Sequence, residues 1–173
     1  MIKIALVGLA CSGKTTIANH INNLESRIIK FAQPHYDILK VLGQEKHRLF
    51  MQELSDLCKK HFGDDIFVKI FENSASRYEN QNSLLVKSLI CDDLRYKIEF
   101  DSCVKNNWLM IYVESKDELR KERSDKLGLA WNPNHNSEQT HLFKNNCEYT
   151  IENNGTLENL KIVFNELFIN MVR

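Results

Sequence analysis

The sequence predicts a three-layer α/β fold, with helices covering both faces of a five-stranded parallel sheet. Short apolar runs alternate with amphipathic stretches along the whole chain, the pattern of right-handed strand-helix-strand crossovers. A strand, a glycine-bearing loop and a helix follow one another from the second residue onward. The 173 residues contain only two prolines, and no Ser/Gly linker or repeat divides them, so one domain with a continuous core is expected.

Ile2-Lys3-Ile4-Ala5-Leu6-Val7 reads as a short buried strand. Gly8-Leu9-Ala10-Cys11-Ser12-Gly13-Lys14-Thr15 then fits the pattern G-x-x-x-x-G-K-[ST], and the helix beyond it puts Ile17, Ile21 and Leu24 on one face. Residues 26–32 read as a second strand, ended by Gln33-Pro34. From Tyr36 to Tyr78 the apolar spacing is helical. Ile38, Leu39 and Leu42 form one face, Leu49, Phe50, Leu54, Leu57 and Cys58 another, and Ile66, Phe67, Ile70 and Phe71 a third. Gly43 and the Gly63-Asp64-Asp65 turn separate the pieces. Residues 84–90 read as the third strand, 95–106 as a crossover helix, 109–113 as the fourth strand and 116–126 as a charged helix. The stretch 128–145 is polar and lacks apolar periodicity. Tyr149-Thr150-Ile151 is a fifth strand, and Asn154-Gly155-Thr156 leads into a last amphipathic helix.

The glycine loop carries the most specific chemistry. Its two glycines let the backbone curl so that successive N–H groups point inward at a polyphosphate, and the helix N-terminus adds its positive dipole end. Lys14 can reach the terminal phosphates, and the Thr15 hydroxyl can bind Mg²⁺. A parallel sheet gathers ligands at the carboxyl ends of its strands, which brings segments 8–15, 32–36, 91–95, 114–138 and 152–156 together. There Asp92 and Asp93 offer carboxylates that either serve a metal ion or cap the next helix. Arg48, Arg77 and Arg95 are candidates for a second phosphate, since arginine binds phosphate oxygens in pairs and stays charged. Arg120 and Arg123, three residues apart, share one helix face. They either swing onto a transferring group or lie laced among Glu118, Glu122 and Asp125.

Lys plus Arg and Asp plus Glu number 23 each, so no net field attracts nucleic acid or an anionic membrane. No apolar run has the length of a membrane span and no basic-then-apolar leader precedes the first strand. The five cysteines lie in no C-x-x-C pair and read as reduced thiols of an intracellular protein. Cys11, although close to a helix N-terminus, reads first as a small loop-filling residue. His135 has no cysteine or second histidine at metal-ligand spacing.

Beyond the loop, three further segments occur in a fixed order. Arg48 and Gln52 precede His61-Phe62-Gly63-Asp64-Asp65-Ile66-Phe67. Ile90-Cys91-Asp92-Asp93-Leu94-Arg95 is followed by Glu99. His135-Asn136-Ser137-Glu138 precedes Tyr149-Thr150-Ile151-Glu152-Asn153-Asn154-Gly155-Thr156-Leu157. With these the chain resembles the deoxynucleoside monophosphate kinases of tailed bacteriophages, within the phosphate-loop nucleoside and nucleotide kinases. It departs from them in having Phe67 where tryptophan is usual, Lys59 or Lys60 for an arginine, Asn154 for an aspartate and Glu148 for an aspartate.

The resemblance implies transfer of the ATP γ-phosphoryl group to a (deoxy)nucleoside monophosphate. It implies catalytic roles for Lys14, Asp93, Arg95, Arg120 and Arg123, with Mg²⁺ held at Thr15 and Asp93. ATP would lie against Gly8, Ala10, Cys11, Ser12, Gly13, Lys14, Thr15, Thr16, Asn153 and Gly155. The acceptor would meet Arg48, Gln52, Arg77, Arg95, Glu99, His135, Ser137 and Glu138. Segment 34–80 becomes an acceptor-binding helical insert and 116–145 a lid, on a core of 1–33, 81–115 and 146–173. A cytoplasmic monomer or homodimer is expected, in the host cytoplasm for a viral protein, with neither nucleic acid nor membrane as partner. Two other readings stand: another small-molecule kinase of this fold, similar to dephospho-coenzyme A kinases, and a non-catalytic nucleotide-dependent module. The surplus arginines at strand ends favour a kinase.

Overall fold

The computed structural model describes residues 1–22, 25–45, 47–81, 86–129 and 136–172. Among these, β1 (Ile2–Val7), β2 (Ser26–Ile28), β3 (Ser88–Cys91), β4 (Leu109–Glu114) and β5 (Tyr149–Glu152) form one sheet in the order β2-β3-β1-β4-β5. Every neighbouring pair is parallel. The helices are α1 (Lys14–Ile21), α2 (Gln33–Val41), α3 (Arg48–Phe62), α4 (Ile66–Gln81), α5 (Lys97–Lys105), α6 (Asp117–Lys126) and α7 (Leu157–Val172), and a 3-10 segment, Asn136–Asn146, precedes β5. This is the three-layer parallel architecture that the alternating pattern predicts.

Strand alternation divides the core into two halves. Ile4, Leu6, Ile90, Ile111 and Val113 face one way and pack on Ile17 and Ala18 of α1 and on Leu160 and Phe164 of α7. Ala5, Val7, Leu89, Cys91, Met110 and Tyr112 face the other way, onto Val68, Phe71 and Ala75 of α4 and Phe100 and Cys103 of α5. Burial on both faces is why the strands read as continuous apolar runs. Phe71 is the hub of the second half, stacked on Phe31 at 3.9 Å and tilted against Trp108 at 5.1 Å. Losing such a ring costs about 3–5 kcal/mol in comparable cores.

Three elements differ from expectation. β2 stops at Ile28 rather than continuing to 32. The Ile29 N–H still reaches the Ile90 carbonyl at 2.9 Å, but the N–H groups of Phe31 and Ala32 turn to the Asp93 carboxylate at 3.1 and 3.0 Å. A side chain has taken over the ladder's acceptors, so the strand ends and α2 begins. β3 starts at Ser88; positions 84 and 85 of the expected strand lie outside the described residues, as does Leu24. In the polar stretch, positions 130–135 lie outside them too, but 136–146 is a 3-10 segment whose Phe143 is 8 % exposed and stacks on Phe100 at 4.7 Å. Phe143 and the Lys144–Glu114 ion pair at 2.7 Å, not a periodic apolar face, hold it in place, which is why periodicity missed it.

Helices α2 to α4 leave the sheet together, broken where the glycines predicted: Gly43 and Gly63 take φ of 64° and 96°. α4 inserts Val68, Phe71 and Ala75 into the core, and α2 buries His35 and Leu39. No described side chain of α3 is buried, and Leu49, Leu57 and Phe62 are exposed, as are Val41 and Leu42 at the end of α2.

Candidate active site

The phosphate loop folds as its sequence demands. Gly8 and Gly13 take φ of 147° and 110°, where side chains are strained. A Cβ on Gly8 would run into the Val113 carbonyl, and one on Gly13 into the Asn153 amide. Every carbonyl from Gly8 to Gly13 has a donor. Lys14 Nζ donates to Gly8 and Leu9, each at 2.7 Å, and Arg120 donates to Ala10 at 3.1 Å. Arg123 reaches Cys11 at 3.4 Å, Asn153 Nδ2 donates to Ser12 at 2.8 Å, and the Ile17 N–H to Gly13 at 3.1 Å. With its carbonyls held in this way, the curled loop has the backbone shape of an anion nest. Cys11 joins by adopting a φ of 60° and supplying its carbonyl.

Arg120 and Arg123 therefore do not hang in solvent: both reach back to the phosphate loop. Glu122 pairs instead with Lys126 at 2.6 Å and Asp125 with Lys121 at 2.7 Å. Arg120 is 3 % exposed and is also held by Asp117 at 2.9 Å. Arg123 adds contacts to the Ser115 hydroxyl and the Asn153 carbonyl, each at 3.0 Å. Through these bonds α6, the β5 end and the phosphate loop form one hydrogen-bonded unit. The sequence showed the arginines but not their target, and Ser115 carried no signal at all.

At the adjacent end of β3, two carboxylates diverge. The β1–β3 register pairs Ala5 with Cys91, so Asp92 and Asp93 stand beside the last residues before Gly8. Both Asp93 oxygens are taken by the backbone N–H groups that end β2. Burial pushes the Asp93 carboxyl above its ordinary range, with the two N–H bonds opposing it. Asp92 is 3 % exposed, accepts from Lys30 at 2.5 Å through Oδ1, and among the described residues has no donor on Oδ2. Burial works against the Lys30 charge, but Asp92 and Asp93 hold its pKa above the ordinary value.

The remaining candidates are spread along the arm and α5. Arg95 and Tyr96 follow β3, and their N–H groups donate to Glu99 Oε2 at 2.7 and 3.0 Å, so Glu99 caps α5 and fixes the backbone under Arg95. Lys59 lies over the Tyr96 ring at 4.9 Å and ties the end of α3 to this turn. Gln52 is partly buried on α3, and Arg77 is exposed on α4. Thr15, Thr16 and Gly155 are exposed. His135 lies outside the described residues, as do the side chains of Arg48, Ser137 and Glu138.

Burial raises the Glu99 pKa from 4.5 to about 7, outweighing its two N–H bonds. The folded state then holds the proton more tightly than the unfolded chain. The stabilisation is complete below 4.5 and is lost as pH rises through about 7. Wild-type protein is expected to lose on the order of 3 kcal/mol between these limits from this group, and Glu99→Gln to flatten that slope. Urea unfolding at pH 5 and pH 8 measures it; identical slopes in both proteins would assign the titration to another group.

A phosphate loop braced from behind, a lysine folded under it and carboxylates at the next strand end, on a β2-β3-β1-β4-β5 parallel sheet, define the phosphate-loop kinase fold. The chain belongs to the AAA domain family, whose AAA_18 model matches residues 4–156. Among solved structures, shikimate kinase from Acinetobacter baumannii in complex with shikimate is similar at 16% identity, over 100% of this chain and 96% of that one, with a TM-score of 0.54. Shikimate kinase from Aquifex aeolicus vf5 matches at 16% identity over 99% of each chain, with a TM-score of 0.53. Deoxyadenosine kinase from M. mycoides with bound dATP matches at 16% identity over 96% and 98%, with a TM-score of 0.43. At these identities the likeness shows the fold alone. No protein of curated function matches the chain. Among the described residues, no helix is long and apolar enough to cross a membrane.

Proposed function

We propose that this protein is an ATP-dependent kinase that phosphorylates a (deoxy)nucleoside monophosphate, giving the diphosphate and ADP. The observation that carries the acceptor class is a groove of about 300 Å³ between α2 and α3, lined by Leu39, Leu42, Gln44, His47, Leu49, Phe50 and Glu53. Its volume matches the lower range of small-ligand sites. Apolar walls with a few polar groups suit a planar base. The first turn of α3 borders the same groove, so its positive dipole end favours an anionic group nearby.

At the donor side, the nest of loop N–H groups and Lys14 take the triphosphate. Arg120, Arg123 and Asn153 act by holding the loop in shape, with α6 as the part of lid 116–145 that bears on the nucleotide. Thr15, exposed in the first turn of α1, and the Asp92 oxygen without a donor fit a hard oxygen-seeking cation such as Mg²⁺. Such an ion, when bound, supplies charge neutralisation across the phosphates. Asp92 suits that role better than Asp93, whose oxygens are already engaged. Arg95, fixed by Glu99, and Arg48, Gln52 and Arg77 of arm 34–80 take the acceptor. The acceptor's own phosphate oxygen attacks the γ-phosphorus, and the bond to the bridging oxygen breaks to release ADP, so no enzyme nucleophile is needed.

The test is ADP release from ATP and magnesium with each common ribo- and deoxyribonucleoside monophosphate, beside shikimate and dephospho-coenzyme A. Turnover confined to one or a few monophosphates is expected. Turnover with shikimate or dephospho-coenzyme A alone would overturn the acceptor class, and ATP binding without any turnover would indicate a nucleotide-dependent module.

A further inference from the structure

Lys30 lies two residues beyond β2, at the carboxyl edge of the sheet, and α2 of the acceptor arm begins three residues later. Ile29 and Phe31 face the core half that holds α4 and α5, whereas Ile28 packs with the half that holds α1 and α7. Alternation puts Lys30 with Ile28, on the side where the phosphate-loop helix starts. On β3, Ile90 belongs to that side, and Asp92 follows it two residues on. The meeting of Lys30 and Asp92 at 2.5 Å agrees with this shared side.

The pair is lopsided. The Asp92 side chain is 1% exposed and the Lys30 side chain 25%, so the carboxylate is the buried end and the lysine the more open one. An ammonium has three donors, and among the described residues Asp92 Oδ1 is the acceptor that Nζ meets. The second oxygen of the buried carboxylate, Asp92 Oδ2, meets no donor among the described residues. A phosphate approaching this end of the sheet also faces adjacent carboxylates at 92 and 93. It would be repelled unless a cation stood between.

We propose that Lys30 is an acceptor-binding residue, a cation aimed by Asp92 at the phosphate of the second substrate. The inference rests on the proposed phosphoryl transfer and adds a contact on the acceptor side, which sequence reading had assigned to arginines. Lys30 carried no motif; its only signal was a cation immediately after a strand at the ligand end.

Lys30→Gln keeps an amide donor for Asp92 while removing the charge, and Lys30→Arg restores the charge. Calorimetry with a non-hydrolysable ATP analogue and magnesium present would compare AMP, CMP, GMP, UMP, dAMP, dCMP, dGMP and dTMP with their nucleosides. Lys30→Gln is expected to weaken the best-bound monophosphate by about tenfold or more, leaving nucleoside and ATP-analogue affinity unchanged, with Lys30→Arg recovering most of the loss. Equal losses for nucleoside and monophosphate, or a loss confined to the ATP analogue, would overturn it. A wild-type measurement stands independent of mutant folding: acylation of Lys30 by acetic anhydride, read by mass spectrometry, is expected to slow with monophosphate and not with nucleoside. Unchanged acylation overturns the inference. Wild-type protein that binds none of these ribo- or deoxyribonucleoside monophosphates overturns the functional reading with it, whereas normal binding by both wild type and Lys30→Gln overturns the inference alone.

Discussion

Lys14→Ala is expected to lower turnover by about 10²–10³-fold or more, the effect of removing one preorganised charge contact from a developing phosphoryl transition state. Lys14 is 7 % exposed, and its Nζ lies on the Gly8 and Leu9 carbonyls, inside the curl that would receive the β- and γ-phosphates. Its contact is with the region where charge builds up, so kcat falls more than ATP affinity. The mutant also strips donors from two carbonyls, but Arg120, Arg123 and Asn153 still hold residues 10 to 12. The loop and the fold therefore survive. Single-turnover kinetics, nucleotide titration and a thermal melt together test this. A folded Lys14→Ala protein with near-normal turnover would remove the phosphate-loop assignment.

Much of this architecture is legible because it is local. The first strand, the glycine loop and α1 follow from adjacent residues, and both glycines prove necessary for the reasons the motif supplies: a positive φ, and a Cβ that would strike Val113 or Asn153. The arm breaks at Gly43 and Gly63 for the same local reason. What the sequence hid depends on distant pairs. Asp93 ends β2 from 61 and 62 residues away, Arg120 seeks a carbonyl 110 residues away, and Lys30 finds Asp92 across 62 residues. Nothing in a helical wheel distinguishes a docked arginine from a solvated one. Phe143 likewise looks like a stray aromatic until Phe100 is beside it.

The two strand-end aspartates are expected to separate cleanly by mutation. Asp92→Asn keeps the shape and can keep the Lys30 bond, so stability should change little. It removes the buried charge whose second oxygen has no donor, the feature that suits a divalent cation. Turnover is expected to fall by about 10²–10³-fold, as when several kcal/mol of metal-borne charge stabilisation are lost, and Mn²⁺ binding followed by electron paramagnetic resonance should weaken in parallel. Asp93→Asn behaves differently. Its amide offers one acceptor oxygen where the Phe31 and Ala32 N–H groups now share two. One N–H is left facing an NH₂ group, at a cost of about 1–3 kcal/mol, and the start of α2 loosens. The expected result is a lower melting temperature and a weaker hold on the acceptor, with Mn²⁺ binding retained. The resemblance to phage kinases implied the opposite assignment, with Asp93 as the acid that serves the metal. Loss of Mn²⁺ binding and turnover in a stable Asp93→Asn protein, with both retained in Asp92→Asn, would restore it.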